Sequence, residues 1–381
     1  MNEESLVKRL LDDGERFYNF NRYEEALLVY ERLIRLDPKN ITAYNEKGIN
    51  LRCLKRYREA VAAHEQAIRL APNDDVAYIC KICNLNDLRR YEEALTTCED
   101  LIRLDPDSLT AYMFKSKILN HIKRYEEALI AYEQYIRLAP NSISAYKEKS
   151  SILLELNRHE EALIVFEQMI SLDSTNVAAY SNMGLALTYL NRYKEALAAY
   201  EKAIQLNPNN ATISSNMGGV LHALGRYEEA LIAFQRALHL TPSDINVYVG
   251  KALVLRSLER YEEELETHKR ILHFTPKNAD TYTDIGDTLD ALHRYEEALE
   301  AYGQALRFNP NKANAYNNMG MTLLNLDQFA AALSAFEQAV RLKPDNSVFR
   351  DNLARTLTFL EVVPEYYDDP DDYIDFYMST S

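Results

Sequence analysis

Apolar residues recur along this chain in paired stretches whose three- and four-residue spacing places side chains on one face of an α-helix. In one such pair, Tyr112 and Leu119 mark the first stretch, and Ala128 and Tyr132 mark the second. A short break separates the two stretches. The pattern predicts a hairpin of two antiparallel helices, which ends where Pro140 prevents the second helix from continuing.

The hairpin pattern returns at a fixed step of 34 residues. The phrase RYEEAL occurs intact at five places, beginning at Arg22, Arg90, Arg124, Arg226 and Arg294, with near-copies at the other steps. A proline keeps the same step from Pro38 to Pro344, and Ser174 alone interrupts it. A strict period of this length indicates a tandem array of one supersecondary unit, which is a solenoid without a single central core.

We predict ten repeats within residues 1–346, at 7–40, 41–74, 75–108, 109–142, 143–176, 177–210, 211–244, 245–278, 279–312 and 313–346. Residues 347–361 continue the apolar spacing without a partner helix, as the solvated cap of a solenoid does. Residues 362–381 combine acids, tyrosines and prolines, and we interpret them as a flexible acidic tail.

Two small-residue positions in each repeat carry a resemblance to the tetratricopeptide repeat (TPR) family. The first helix has a small residue at Gly14 and again at Gly320, and the second has alanine at Ala26 and again at Ala332. We expect small residues there because two helix backbones pass close together. The resemblance implies an all-α, right-handed superhelical solenoid of antiparallel helix hairpins, whose first helices line a concave groove that binds ligands.

Net charge and cysteine content limit the classes of partner and the cellular compartment that the sequence favours. The net charge of −15 argues against nucleic-acid binding, and without an apolar run long enough to span a bilayer we predict no membrane association. The cysteines, Cys53, Cys80, Cys83 and Cys98, show no disulfide framework, which favours a reducing cytoplasm. We predict no cofactor and no metal site, while a metal or redox role for the first three cysteines stays open.

One position on the first helices, followed at the 34-residue step, predicts a peptide-binding row. In the C-terminal half it carries Asn182, Asn216, Gly250, Asp284, Asn318 and Asn352. This is similar to the asparagine ladder in the TPR arm of the O-GlcNAc transferases, which implies that the side-chain amides hold an extended peptide backbone. An amide both donates and accepts hydrogen bonds, so it can pair with any peptide group. The alternative is that asparagine is a common polar residue at this position.

The ninth repeat adds a stripe of aspartates at Asp280, Asp284, Asp287 and Asp290. On a helix these four residues lie within roughly 120° of arc, so the stripe should face the groove together with the asparagine row. A basic peptide is the sharpest explanation of clustered acids, whereas a divalent cation or a merely solvated face are the alternatives.

No phosphate loop, nucleophile elbow or catalytic histidine arrangement is present, so we predict a protein that is not an enzyme. The prediction is an interaction scaffold that binds an extended segment of a partner in its concave groove. The alternative is a regulatory or targeting subunit that acts through its convex face and acidic tail. Self-association through the terminal helices stays open.

A single departure from the pattern concerns stability. Glu264 stands where nine other repeats have alanine. A carboxylate in that position must be protonated, paired with a neighbour, or force the helices apart. We therefore predict that Glu264→Ala raises the thermal stability.

Overall fold

The computed structural model describes residues 3–362. Within them it contains α-helices joined by short turns and no β-strand, so the protein is an all-α helical solenoid. The chain divides into two compact units, Met1–Asn176 and Val177–Ser381. Apart from Val362, which ends the last helix, the tail predicted at 362–381 lies outside the described residues.

The first unit consists of five helix pairs. Their bounds are α1 Glu3–Asn19, α2 Tyr23–Leu36, α3 Ile41–Cys53, α4 Tyr57–Leu70, α5 Asp75–Asp87, α6 Tyr91–Leu104, α7 Leu109–His121, α8 Tyr125–Leu138, α9 Ile143–Glu155 and α10 His159–Leu172. The odd-numbered helix of each pair is the first helix of its repeat, and the even-numbered helix is the second.

The second unit consists of five further pairs and one last helix. Their bounds are α11 Val177–Tyr189, α12 Tyr193–Leu206, α13 Ala211–Ala223, α14 Tyr227–Leu240, α15 Ile245–Ser257, α16 Tyr261–Phe274, α17 Ala279–Ala291, α18 Tyr295–Phe308, α19 Ala313–Asn325, α20 Phe329–Leu342 and α21 Ser347–Val362. The last helix packs on α20, and it is the final element of the residues that the structure describes.

The turn inside each hairpin explains why the arginine phrase recurs. Lys123 takes a left-handed conformation with φ of 61°, and the backbone amide of Arg124 donates to the carbonyl of Leu119 at 2.9 Å. This pattern of bonds satisfies carbonyls that the end of the first helix would leave unpaired. The phrase RYEEAL therefore begins where the first helix has been closed and the second one starts.

The charged residues of the phrase join neighbouring repeats at the surface. Arg124 pairs with Glu127 in its own helix at 2.6 Å and with Glu92 of the preceding repeat at 3.1 Å. Arg158 repeats the arrangement with Glu161 and Glu126. Exposed pairs of this kind contribute about 1 kcal/mol or less each to stability, so the recurring glutamates join the repeats only weakly.

The small residues of the first helices make room for an aromatic ring. A Cβ atom at Gly184 would lie 2.8 Å from the ring of Tyr200, and one at Gly286 would lie 2.4 Å from Tyr302. Each ring belongs to the second helix of the same repeat and is almost completely buried. The aromatic position of the second helix therefore dictates glycine, alanine or serine in the first.

Histidine and cysteine occupy the same aromatic position in three repeats. His64, His268 and Cys98 are all buried there. In these three repeats the layer therefore contains an imidazole or a thiol group, which is polar or weakly polar. The other repeats have the ring of a tyrosine or phenylalanine at this position.

Candidate functional site

The predicted peptide-binding row lies on consecutive first helices of the second unit. Asn182 is on α11, Asn216 on α13, Asn318 on α19 and Asn352 on α21, and all four are half-buried. Gly250 on α15 and Asp284 on α17 hold the two positions in between. Every first helix of this unit thus contributes one residue to the row.

Hydrogen bonds join this row at its C-terminal end. The amide of Asn318 donates to Asp287 on the preceding first helix at 2.8 Å and accepts a hydrogen bond from the amide of Asn317 at 3.2 Å. Asn352 donates in turn to the oxygen of Asn317 at 2.9 Å. The first helices are therefore in register, with side chains bridging α17, α19 and α21, and the amides of Asn318 and Asn352 are partly committed to protein partners.

A second layer of side chains lies beneath the row, and it belongs to the aromatic position of the second helices. Burial raises the pKa of Tyr200 to about 12, while hydrogen bonds with Thr188 and Asn216 partly oppose this rise. Three repeats later the hydroxyl of Tyr302 donates to Asp287 at 2.7 Å. The tip of a buried tyrosine thus reaches polar residues on the first helix of its own repeat or of the next one.

The sequence analysis missed this layer, although a signal for it was present. The aromatic position precedes the row position by 16 residues, which links Tyr200 to Asn216 and His268 to Asp284. Where the row position has no side chain, at Gly250, the residue beneath it is Phe234. The offset places Asn216, Asp284 and Asn318 after residues with a polar tip, whereas Asn182 and Asn352 follow Phe166 and Phe336, so the whole row does not share the contact.

The aspartate stripe divides into three carboxylates that are already bonded and a fourth, that of Asp284, which has no hydrogen bond or ion pair within residues 3–362. Asp280 forms an ion pair with Lys312, and Asp290 accepts from the hydroxyl of Thr322 at 2.8 Å. Asp287 accepts from both Tyr302 and Asn318, as described above. Three of the four predicted binding residues consequently tie α17 to α18 and α19.

The remaining residue of the stripe, Asp284, is exposed to solvent over much of its surface. Protein atoms nevertheless crowd its carboxylate, and this desolvation raises its pKa, as does the neighbouring charge of Asp287. Positive charge on His268, Arg256 and Lys312 acts in the opposite direction. Asp284 is therefore the carboxylate of the stripe that is best placed to meet a ligand.

Glu264 is paired and not free in the core. It is 1% exposed, and its Oε1 accepts from Nε of Arg256 at 2.7 Å and lies 3.4 Å from Nε2 of His268. Its Oε2 is buried and has no hydrogen-bond partner among residues 3–362. Arg256 also donates to the hydroxyl of Thr288 on α17 at 3.2 Å, so its guanidinium is bonded both to Glu264 and to the first helix of the next repeat.

The cysteines of the first unit remain free thiols. Cys98 is buried, Cys80 and Cys83 are half-buried, and Cys53 is exposed. Burial raises the pKa of Cys80 to about 11, which keeps it in the unreactive thiol form at neutral pH. Within residues 3–362 there is no group of three or more potential metal-ligating side chains close enough to hold an ion.

No helix in the described part of the chain is both long enough and apolar enough to cross a bilayer.

Family models match most of the chain. A TPR repeat model matches residues 14–49 and 184–225. Tetratricopeptide repeat models match residues 277–345, 83–143, 211–244 and 143–176. A search of curated protein sequences found no significant match.

Solved structures show the same fold at low sequence identity. YrrB, described as a TPR protein with an unusual peptide-binding site, is 21% identical, with a TM-score of 0.45 over 50% of this chain and 98% of its own. A tetratricopeptide repeat protein from Parabacteroides merdae is 18% identical, with a TM-score of 0.48 over 66% of this chain and 99% of its own. The complex of Naa15 and Naa10 bound to HypK-THB is 12% identical, with a TM-score of 0.50 over 95% of this chain and 68% of that chain. The last similarity concerns the fold alone, but the helix pairs, their period and the family models agree, and the chain belongs to the tetratricopeptide repeat family.

Proposed function

We propose that this protein is a non-enzymatic interaction scaffold whose second unit binds an extended peptide segment of a partner protein along its first helices. The observation that carries the proposal is the row from Asn182 to Asn352, in which every first helix contributes one residue and bonded side chains keep the helices in register. TPR arrays are in general protein-interaction scaffolds. A cytoplasmic location remains a prediction from the cysteine content.

The amides differ in how they would serve a peptide. Asn318 and Asn352 already donate to neighbouring side chains, so they mainly order the C-terminal end of the row. Asn182 and Asn216 lie at the other end, where Tyr200 supports the amide of Asn216. We therefore assign the backbone contacts of the peptide chiefly to Asn182 and Asn216.

The charge of the row favours a basic partner segment. Asp284 presents its carboxylate between Gly250 and Asn318, and a lysine or arginine side chain would neutralise it. Ion pairs at an exposed surface are weakened by salt, so binding should weaken as the ionic strength rises. Asp280, Asp287 and Asp290 would add to the local negative potential while remaining bonded to the protein.

The test uses a displayed library of random peptides, about twelve residues long and so about 40 Å when extended. The best peptide is synthesised, and its affinity for the full chain is measured by calorimetry at low and high salt. Asn216→Ala should weaken binding about tenfold, the loss of one well-placed hydrogen bond of about 1.4 kcal/mol. Asp284→Asn should reduce the salt dependence.

Asn209→Ala is the matched control, because Asn209 is exposed in a turn away from the first helices. It should leave the affinity unchanged. Equal binding by the wild-type protein and by Asn216→Ala, together with an unchanged salt response in a variant lacking both Asp284 and Asp287, would show that the peptide binds elsewhere.

A second candidate is an interaction through the second helices, as expected of a regulatory or targeting subunit. Leu28, Ile130 and Ile164 occupy the same position in three repeats of the first unit, and each is more than half exposed. Repeated exposed apolar side chains are typical of a surface that another protein or a second copy covers. Replacing all three by serine should abolish such an interaction without affecting peptide binding to the second unit.

A further inference from the structure

The first helices of the seventh and eighth repeats carry glycines at positions that face each other. The bond between Asp287 and Asn318 joins residues 31 positions apart on adjacent first helices. The same offset, taken one repeat earlier, pairs Leu253 with Asp284, and taken two repeats earlier it pairs Gly219 with Gly250. Two facing positions on α13 and α15 therefore have no side chain.

There is open space beside Gly219, whereas an aromatic ring closes the space beside Gly250. A Cβ atom at Gly219 would meet nothing within 4 Å, whereas one at Gly250 would lie 2.6 Å from the ring of Phe234. Phe234 is 4% exposed, so the ring fills the interior up to the level of the Gly250 backbone. The result is a notch in the row with an aromatic ring beneath it.

Exposed apolar side chains border this notch. Val249 is 44% exposed and Leu253 is 54% exposed, and both lie on α15 within one turn of Gly250. In the next repeat the equivalent positions are polar, because they hold Thr283 and Asp287. Apolar surface that faces water beside an opening of side-chain size gains free energy when a ligand covers it.

The charges around the notch indicate which ligand would cover it. Asp284 follows Leu253 in the register and is exposed to solvent over much of its surface. Arg256 offsets this charge only in part, because its guanidinium is bonded to the buried Glu264 and to Thr288. An apolar opening next to an exposed carboxylate is complementary to an apolar side chain next to a cationic one.

We propose that Gly219, Val249, Gly250 and Leu253, with Phe234 beneath, form a side-chain subsite for a large apolar residue of the partner segment. A lysine or arginine of the same segment then binds Asp284. Neighbouring helices lie about 8–10 Å apart and an extended chain advances about 3.4 Å per residue, so about three positions separate the two residues. This inference rests on the proposed function, whose extended peptide it describes more closely.

The experiment compares peptides selected from the random library by the wild-type protein and by Gly219→Leu. Leucine at this position meets open space and favours a helix more than glycine does, so the variant should fold, which circular dichroism and the melting temperature will show. We expect wild-type selections to be enriched in leucine, methionine or phenylalanine about three positions from a basic residue. We expect Gly219→Leu to select no such apolar residue.

The best wild-type peptide is then synthesised with its apolar residue and with alanine in that place. Gly219→Leu should weaken the first peptide at least tenfold and leave the second unchanged. Leu253→Ser, which alters an exposed side chain, gives an independent measurement of the same preference. Ile232→Ser on α14, where Ile232 is exposed on a second helix, is the control and should change neither affinity.

Two different failures can be told apart. Peptides that depend on Asn216 but show no apolar preference, and that bind wild-type, Gly219→Leu and Leu253→Ser proteins equally, would overturn the subsite and leave the proposed function standing. Peptides whose binding does not depend on Asn216, and whose salt response is unchanged in the variant lacking both Asp284 and Asp287, would overturn the proposed function and the subsite with it.

Discussion

Removing Arg256 should destabilise the protein, whereas removing its partner Glu264 should stabilise it. The Arg256 side chain is 41% exposed and the Glu264 side chain is 2% exposed, so the pair is unequal. Arg256→Ala leaves a carboxylate in the core with only His268 beside it. Breaking a buried pair in this way costs about 3 kcal/mol.

The opposite substitution, Glu264→Ala, leaves no buried charge without a partner. In Glu264→Ala the guanidinium of Arg256 can be hydrated and still donates to Thr288. The variant loses one charged hydrogen bond of about 2 kcal/mol and leaves a small cavity that costs about 1 kcal/mol. It also removes the several kcal/mol that it costs to bury a carboxylate whose Oε2 lacks a protein partner. We expect a net gain of about 1 kcal/mol, since alanine already fills this position in nine repeats.

Amide hydrogen exchange of α15, α16 and α17 measures these changes locally, which suits a solenoid whose repeats can open separately. Protection should fall about a hundredfold in Arg256→Ala and rise about fivefold in Glu264→Ala. The double variant should resemble Glu264→Ala. Glu229→Ala, which breaks an exposed pair with Arg226, is the control and should change protection little. A loss of protection in Glu264→Ala would show that the pair is stabilising and that the reasoning is wrong.

Three further predictions concern the layer beneath the first helices. Burial lowers the pKa of His64 from 6.5 to about 4, so protonation of this side chain opposes folding. The free energy of unfolding of the first unit should therefore fall by about 3 kcal/mol as the pH falls from about 6.5 to 4. His64→Tyr should abolish this dependence in a pH series of urea melts. Gly219→Ala should add about 1 kcal/mol of stability through helix propensity, whereas Gly286→Ala should lower the melting temperature because its Cβ meets the ring of Tyr302. Tyr302→Phe should cost about 2 kcal/mol by removing a hydrogen bond to the charged Asp287, and an unchanged melting temperature would contradict this role.

The local fold follows from the sequence because each repeat is made by nearby residues. The break before Arg124 and the three- and four-residue spacing of apolar positions suffice to predict a helix hairpin, since turn and helix bonds join residues a few positions apart. The 34-residue period then predicts stacking, because no hairpin can bury its apolar face alone.

The sequence also located the row of asparagines and aspartates, but it could not say which of them are free. Asp287 and Asp290 resemble Asp284 in the sequence, and only the approach of α18 and α19 bonds the first two and leaves the third exposed. The same is true of Glu264, which is an anomaly in the period until Arg256 is seen to pair with it.

What the sequence determined by itself is therefore the helix pairs, the period and the positions that share a face, all of which depend on contacts within about one repeat. What the tertiary structure decided is the chemistry of those positions. Hydrogen bonds and charge neutralisation act over about 3 Å and join atoms of neighbouring repeats, so they depend on distances that a one-dimensional pattern does not contain. The notch at Gly219 and Gly250 became visible only when the contact between Asp287 and Asn318 fixed the register of adjacent first helices.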